Sequence, residues 1–352
     1  MAYVISGIQQ LGVGVGNKKD AWQWYRKYLG MNVPVFQEAA EAPLMTHYTG
    51  GVVQSRDAAL ALNLKGGSGF EIWQYTSRET AYPEQEMVLG DWGIQIGKIK
   101  TPDVQKCYDF YKTEAVNLLN EPSIDPAGNL HFHMKDPWGN IFEMTERPDY
   151  FQKNSSITGG PCGAVMGVSD IDRVLPLFQK VLGYDVIYFD ETSVFDDLKG
   201  LPGGDQTFRR VLLGHGEPRE GAFSRVFGES TIELIQCQDR EGAPIFRDRF
   251  WGDAGFIHLC FDIAGMDDLG RTLKAEGYPF TVDSEGSFDM GEAAGRFTYI
   301  EDPDGTLLEF VETHKVPIMK KMNWYLNLKG RNPEKPLADW MMKLLGLGRI
   351  RN

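Results

Sequence analysis

The sequence predicts an α+β fold made of four copies of one strand–helix–strand–strand–strand (βαβββ) module, followed by a basic C-terminal extension. The first observation is that the same order of strand and helix patterns occurs four times, at about residues 5–77, 90–150, 160–240 and 252–314. The second is that the two halves of the chain repeat each other at a spacing of roughly 160 to 170 residues, as in the pairs Glu71 and Glu233, Gln95 and His258, and Glu143 and Glu309. A repeat at a fixed spacing is stronger evidence for architecture than any single motif.

Composition and charge limit the class of protein. The chain has 352 residues, of which 42% are hydrophobic and 12% aromatic, so it is long enough to fill two domain cores. Its net charge of −13 argues against nucleic-acid binding over the body, because phosphate recognition needs a basic surface. The sequence contains no run of about eighteen apolar residues, so we expect no membrane span.

The cysteines and the first residues indicate a reducing compartment. Four cysteines are spread along the chain without a CxxC pair, which favours buried free thiols over disulfides. The opening segment, MAYVISGIQQ, lacks the basic stretch and long apolar run of a signal peptide. We therefore expect a cytoplasmic protein.

The first module begins with the strand IQQLGVGVG, in which Gln10 and Gly12 lie on one face. Residues 18–28 have the apolar spacing of an amphipathic helix, and Gly30 is a typical helix end. Three strands complete the module, and the last of them carries Glu71. These strands are expected near residues 44–49, 58–64 and 70–75.

The second and third modules repeat this order on either side of residues 151–160, a polar and glycine-rich stretch that we interpret as a linker. The second module has Gln95 in its first strand, GIQIGKI, and Glu143 in its last, HFHMKDPWGNIFEM. The third begins with GAVMGVSD and carries Glu233 in STIELIQ. The helices of these modules are expected at residues 102–116 and 171–182.

The fourth module carries the strongest signal for chemistry. Its first strand, FIHLCFDI, places His258 on the same face as Cys260 and Asp262, and a helix is expected at residues 266–276. Its last strand, in RFTYIEDPDGTLLEFVE, carries Glu309 between apolar residues. A carboxylate in the middle of an apolar strand is costly to bury unless it is paired or binds a cation. His258 and Glu309 are therefore the first two candidates for a metal site.

The modules resemble those of the vicinal oxygen chelate superfamily, which contains glyoxalases, extradiol dioxygenases and bleomycin-resistance proteins. The resemblance rests on VGNKKDAWQWYRKYLGMNV, VSDIDRVLPLFQKVLGYDV and the two DPxGxxxE closures, and it extends over about residues 5–314. It implies that two modules curl into one cup-shaped sheet. It also implies a divalent metal held by the first and last strands, where the metal binds vicinal oxygens of the substrate.

We expect neighbouring modules to pair, which gives an N-terminal cup at residues 1–150 and a C-terminal cup at residues 157–314. By the resemblance, the ligand positions of the N-terminal cup are Gln10, Glu71, Gln95 and Glu143. We interpret this set as a remnant of duplication. His133 is a further candidate there, because it lies ten residues before Glu143, as Tyr299 lies ten residues before Glu309.

The C-terminal cup is the preferred site. The resemblance gives it one empty position, Gly163, and three metal ligands, which are Glu233, His258 and Glu309. One of the two glutamates is expected to act as the catalytic base, and Glu233 is preferred if it is loosely held. Two other interpretations stay open: His258 and Glu309 could form a simple hydrogen-bonded pair, and an arginine could neutralise Glu233. The candidate arginines are Arg209, Arg210 and Arg225.

The sequence therefore predicts a metal-dependent enzyme with lyase or isomerase proton-transfer chemistry on a small oxygenated substrate. One divalent ion of the zinc, iron, manganese or nickel group is expected. An extradiol-type iron dioxygenase is an alternative, but it needs two histidines where this chain has one. The other alternative is a non-catalytic protein that binds a small molecule. A homodimer is left open.

Residues 315–352 form a basic arm outside the resemblance, with nine Lys or Arg against two acidic residues. A short amphipathic helix is expected there, with Leu337, Trp340 or Met341, and Leu344 on one face. Large apolar side chains are costly to leave in water. We therefore expect the arm to pack on the acidic body or across a dimer rather than on a membrane.

Overall fold

The computed structural model of the chain describes residues 3–285, 288–289, 294–319 and 324–350. Four modules with the predicted βαβββ order are present in this part of the chain, and the second and fourth each have one additional short strand. The strands of the first two modules are β1 (Val4–Gly14), β2 (Val33–Glu41), β3 (Ser55–Leu62), β4 (Gly69–Tyr75), β5 (Gly93–Thr101), β6 (Asn117–Leu118), β7 (Ser123–Ile124), β8 (Leu130–Lys135) and β9 (Ile141–Glu146).

The strands of the third and fourth modules are β10 (Pro161–Gly167), β11 (Val186–Val194), β12 (Thr207–Gly214), β13 (Thr231–Cys237), β14 (Gly255–Ala264), β15 (Val282–Asp283), β16 (Phe288–Asp289), β17 (Ala294–Glu301) and β18 (Leu307–Thr313). The extension adds a hairpin of β19 (Lys315–Met319) and β20 (Trp324–Asn327). The α-helices are α1 (Lys18–Leu29), α2 (Val104–Thr113), α3 (Ile171–Pro176), α4 (Ser224–Phe227), α5 (Met266–Ala275) and α6 (Asp339–Leu344). None of these helices is long and apolar enough to cross a membrane.

The strand expected at residues 44–49 is a 3₁₀-helix, Pro43–Tyr48, and the strand of this module lies earlier, at β2. Pro43 explains the difference, because proline lacks the N–H that a strand ladder needs and suits the first turn of a helix. The helix α1 follows the prediction. Asn17 accepts a hydrogen bond from the backbone N–H of Asp20 at its start, and Gly30 ends it with φ of 65°.

Modules pair differently from the expectation. The first and fourth modules form one sheet, the outer cup, with the strand order β15-β17-β18-β14-β1-β4-β3-β2. The second and third form the inner cup, with the order β11-β12-β13-β10-β5-β9-β8-β6. The expected N-terminal cup at residues 1–150 and C-terminal cup at residues 157–314 are therefore wrong, because each cup contains one module from each half of the chain. The first strand of every module can pair with the first strand of another module, and hydrophobic periodicity does not predict which of them it is.

Within each cup the two modules join through an antiparallel pair of first strands, β1–β14 in the outer cup and β5–β10 in the inner cup, and the two cups meet at a shared apolar core. In this core the ring of Phe142 from the second module lies 5.6 Å from that of Phe70 and 5.4 Å from that of Phe256. Residues 151–160 are not a free linker: the backbone N–H groups of Phe151 and Gly160 donate to residues of the first module, Lys65 and Gly66. The cups therefore form one packed body.

The basic arm packs on this body. Leu337 and Met342 are buried in an apolar cluster with Phe223 and Phe227 of the third module. Trp340 is 54% exposed, whereas Met341 and Leu344 are partly buried in the same cluster, so the structure has the expected stripe with Met341 rather than Trp340. Leu337 precedes the helix, because α6 begins at Asp339.

Candidate functional site

Four polar side chains from four strands meet in the outer cup. The Nε2 atom of His258 lies 3.1 Å from Oε2 of Glu309 and 3.3 Å from Oε2 of Glu71. The amide nitrogen of Gln10 donates to the same two oxygens, at 3.1 Å for Glu71 and 3.3 Å for Glu309. One ligand atom from each of His258, Glu71 and Glu309 lies within 4.8 Å of the others, which is close enough to hold one cation.

Strand register explains why these side chains meet. On the central strand β1, Gly12 pairs with His258 of β14 on one side and with Glu71 of β4 on the other. On β14, Cys260 pairs with Gln10 on one side and with Glu309 of β18 on the other. Gly12 is needed at this point, because a Cβ there would lie 2.6 Å from the imidazole of His258.

Burial and neighbouring charges shift the acid–base behaviour of the group. Burial lowers the pKa of His258, but Glu309 and Glu71 outweigh it, and the pKa lies above its usual value. Burial raises the pKa of Glu71, but His258 and Arg56 outweigh it and leave the pKa lowered. For Glu309, burial raises the pKa and His258 only partly opposes it, so this carboxyl is the more basic of the two.

A cavity of about 450 Å³ opens from this group. Gln10, Glu71 and Glu309 border it, and so does Tyr299, whose hydroxyl lies 3.4 Å from Nδ1 of His258. Most of the other bordering side chains are apolar. The arrangement therefore has polar ligands at one end and an apolar space in which a substrate could lie.

The inner cup has different side chains at the positions equivalent to those of the outer group. Lys98 pairs with Glu143 there, as Cys260 pairs with Glu309 in the outer cup. Its Nζ atom lies 2.8 Å from Glu143 and 2.9 Å from Glu233. The ammonium group of Lys98 therefore lies between the two carboxylates.

Further buried charges complete the inner network. Arg210 contacts Glu233 at 2.6 Å and Asp197 at 2.8 Å. His131 lies 3.3 Å from Glu143 and 3.4 Å from Asp197. Burial lowers the pKa of His131, but the two carboxylates outweigh it and raise the pKa to about 9. Three positive and three negative groups are then balanced within the inner cup.

Glu233 does not lie near His258 and Glu309, contrary to the expected ligand set. Its carboxylate is paired with Lys98 and Arg210, so the interpretation that an arginine neutralises it is the one that the structure shows. The physical reason is the module pairing, since Glu233 belongs to the inner cup and His258 to the outer one.

Gln95 also lies away from a ligand position. Its amide donates to the backbone oxygen of Asp91. Ile96 occupies the position equivalent to His258, because Ile96 and Glu233 both pair with Val165, as His258 and Glu71 both pair with Gly12. A shift of one residue turns a strand side chain to the other face of the sheet.

His133 pairs with Glu143 across β8 and β9, as Tyr299 pairs with Glu309 across β17 and β18. This equivalence agrees with the ten-residue spacing of both pairs in the sequence. Burial, with the neighbouring charge of His131, lowers the pKa of His133 to about 3. His131, His133 and Glu143 are also close enough together to hold a cation. The ammonium of Lys98 opposes a cation there by charge repulsion.

Sequence reasoning named the four side chains of the outer group but missed Lys98 and Asp197 of the inner network, and it did not select Arg210 from the three candidate arginines. One signal was present. A lysine inside the apolar strand GIQIGKI is as costly to bury as a carboxylate, and it indicates a buried partner of opposite charge.

Family comparison agrees with this architecture. Two models described as the Glyoxalase/Bleomycin resistance protein/Dioxygenase superfamily match residues 7–144 and 164–299, which together are more than half of the chain. The chain belongs to this superfamily. Its fold of two glyoxalase-like units agrees with the α+β cups predicted from the sequence.

Similar proteins include a lactoylglutathione lyase of Arabidopsis thaliana, 25% identical over 119 residues. The match covers 33% of this chain and 38% of that relative. Among solved structures, glyoxalase I of Zea mays is 15% identical with a TM-score of 0.54, covering 87% of this chain and 92% of its own. A Bacillus subtilis protein assigned as a dioxygenase is 16% identical with a TM-score of 0.55, covering 88% and 86%. These structures support the fold alone.

Proposed function

We propose that the chain is a metal-dependent enzyme that transfers a proton on a small substrate with two vicinal oxygens, in a lyase or isomerase reaction of the glyoxalase type. The observation that carries the proposal is the convergence of four side chains at one end of the outer-cup cavity. These are Gln10, Glu71, His258 and Glu309.

The four side chains suit one divalent cation of the zinc, iron, manganese or nickel group. The Nε2 atom of His258 is buried close to two carboxylate oxygens, yet no described residue gives it a well-aligned hydrogen bond. A cation would satisfy this nitrogen and both carboxylates together, and Gln10 could add its amide oxygen. When bound, such an ion would polarise a substrate carbonyl and acidify the neighbouring C–H bond.

The chain's own residues would then have separate tasks. Glu309 is the group that we assign to proton transfer, because it borders the cavity and its carboxyl is the more basic of the two in the chain without a cation; a bound cation would lower the pKa of both carboxyls. Tyr299 would hold the imidazole of His258 in place through Nδ1. The apolar walls would keep water away from the reacting carbon.

The ligand set does not favour the extradiol alternative. Two carboxylates and one histidine converge here, whereas extradiol chemistry on iron uses two histidines and one carboxylate. The non-catalytic binding protein remains the competing hypothesis. It differs from the proposal in having no turnover and no requirement for metal.

The first prediction concerns metal content. Elemental analysis of the full-length protein, purified without chelators, should find about one divalent ion per chain. His258→Ala should lose it, because the imidazole is the one nitrogen ligand in the group. The matched control is His133→Ala, which removes a buried strand histidine from the inner cup and should keep the metal.

The opposite pattern, with metal kept in His258→Ala and lost in His133→Ala, would place the site in the inner cup. A wild-type chain that stays free of metal after reconstitution would favour the binding protein. If metal-loaded protein consumed oxygen with a catechol, the lyase and isomerase assignment would be wrong.

A further inference from the structure

The outer-cup cavity has walls from three parts of the chain that lie far apart in sequence. The first module contributes Leu60 and Trp73, and the third contributes Phe223 and Phe227. The basic arm adds Met342 and Leu345. The arm and the third module thus close a cavity whose polar end belongs to the first and fourth modules.

The arm is held firmly in this place. Met342 is only 5% exposed and packs in the cluster with Phe227, while Leu345 also contacts the apolar side chains of β2 and β3. At the end of the arm, the backbone N–H of Ile350 donates to the oxygen of Asn32 at 2.9 Å. The side chains of Met342 and Leu345 therefore form a fixed part of the wall.

The charges that border the cavity are mainly negative. Four carboxylates and two cations lie among the described lining residues. One cation, Arg56, is already paired with Glu38 at 3.1 Å, and the other, Lys315, lies 3.9 Å from the ring centre of Tyr325. The divalent ion of the proposed function would balance Glu71 and Glu309. The partners of Arg56 and Lys315 leave few free cations for a ligand with carboxylates of its own, such as a glutathione conjugate.

We infer that the substrate is an uncharged molecule in which a bulky apolar group, aromatic or branched, is attached next to the vicinal oxygens, and that Met342 and Leu345 of the arm select for it. This inference rests on the proposed function for the position of the oxygens. A volume of about 450 Å³ is enough for a two-ring group beside the polar end. Burial of such a group against the apolar walls favours binding in proportion to its area.

The test uses three hydroxamic acids, because a hydroxamate presents two vicinal oxygens to a metal ion. Acetohydroxamic acid carries almost no apolar group, 2-naphthohydroxamic acid carries two rings, and succinic monohydroxamic acid carries a carboxylate. Calorimetric titration of metal-loaded, full-length protein should show that the naphthyl compound binds at least about tenfold more tightly than the acetyl compound. The succinic compound should bind no more tightly than the acetyl compound.

Met342→Trp should reduce the naphthyl preference to less than about threefold, because the indole fills the space of the rings. Leu345→Trp, as a second filling variant, should do the same. The matched control is Leu347→Trp in the same arm, where the side chain is 76% exposed and does not border the cavity. The naphthyl preference should be unchanged in that control.

Equal affinities for the naphthyl and acetyl compounds, or a preference that survives both filling variants, would overturn the substrate class while leaving the metal site intact. Failure of the proposed function is seen separately, as protein that holds no metal. In that case the naphthyl compound is titrated against chelator-treated protein by quenching of Trp73 and Trp251, which border the cavity. Met342→Phe replaces Met342→Trp in this titration, because an added indole would itself be quenched; an affinity that falls in Met342→Phe supports the apolar class, and absence of quenching rejects it.

Discussion

A single residue explains much of the contrast between the two cups. At equivalent positions of the first strands, the outer cup has Cys260 and the inner cup has Lys98, each paired with a last-strand glutamate. The small thiol leaves Glu309 free to face the cavity, whereas the ammonium of Lys98 contacts Glu143 and Glu233. The two cups therefore have equivalent strands, but the carboxylates of the outer cup border a cavity, whereas those of the inner cup are paired with buried cations.

The inner network should make stability depend on pH through His131. Its pKa is raised to about 9 in the folded chain, by Asp197 and Glu143 against the effect of burial, whereas an unfolded histidine titrates near about 6.5. A raised pKa contributes stability that is fully present below about 6.5 and is lost as pH rises through about 9. The contribution is on the order of 3 kcal/mol.

Urea unfolding of the wild type and of His131→Asn at pH 6 and pH 10 checks this prediction. The free energy of unfolding of the wild type should exceed that of the variant, and this difference should fall by about 3 kcal/mol from pH 6 to pH 10. An equal difference at both pH values would mean that folding does not shift the pKa of His131. Asp197 lies beside Nε2 and Glu143 beside Nδ1, and together these two carboxylates outweigh burial, so their joint effect on the pKa is what the comparison tests.

At the scale of elements, local patterns predicted most of the fold. The helix α1 follows from its cap at Asn17 and its end at Gly30, and the strands β4 and β18 follow from their alternation around Glu71 and Glu309. Register was less predictable, and Gln95 shows why. Its strand contains an irregular pairing with β10, and a local pattern does not reveal which of two adjacent residues faces the cup.

The basic arm is an element whose packing can be tested by paired substitutions. Leu337 is 1% exposed in the cluster with Phe223, and Leu347 is 76% exposed. Leu337→Ala should lower the free energy of unfolding by about 2–5 kcal/mol, because it leaves a cavity in an apolar cluster. Leu347→Ala should change it by less than about 0.5 kcal/mol.

Thermal and urea unfolding of the two leucine variants measure this difference. If Leu337→Ala and Leu347→Ala are equally stable, the arm does not pack as the structure shows. A drop in both variants would instead indicate that a second surface covers Leu347, such as another copy of the chain.

At the scale of the whole molecule, the order of the modules along the chain does not reveal which modules pair. All four side chains that converge in the outer cup are predicted from the sequence, but as members of two cups, with Gln10 and Glu71 in one and His258 and Glu309 in the other. Module order alone supports either arrangement. The structure distinguishes them because β1 pairs with β14, a contact across about 250 residues of sequence that no local pattern predicts.

This partnership predicts how the chain behaves when it is cut. Fragments of residues 1–155 and 156–352 separate Gln10 and Glu71 from His258 and Glu309, so neither fragment alone can assemble the outer group. Each fragment expressed alone should therefore hold little metal. Coexpressed fragments should associate through β1–β14, β5–β10 and the shared core, and should recover about one ion per pair.

Size-exclusion chromatography with light scattering, followed by elemental analysis, tests the association and the metal together. The intact chain is the control for metal content, and coexpressed fragments carrying His258→Ala are the control for the site. The decisive case is the C-terminal fragment, which retains His258, Glu309 and Glu233. Stoichiometric metal in this fragment alone would mean that the third and fourth modules can form a working cup, and that the pairing of the first and fourth modules is not required for the metal site.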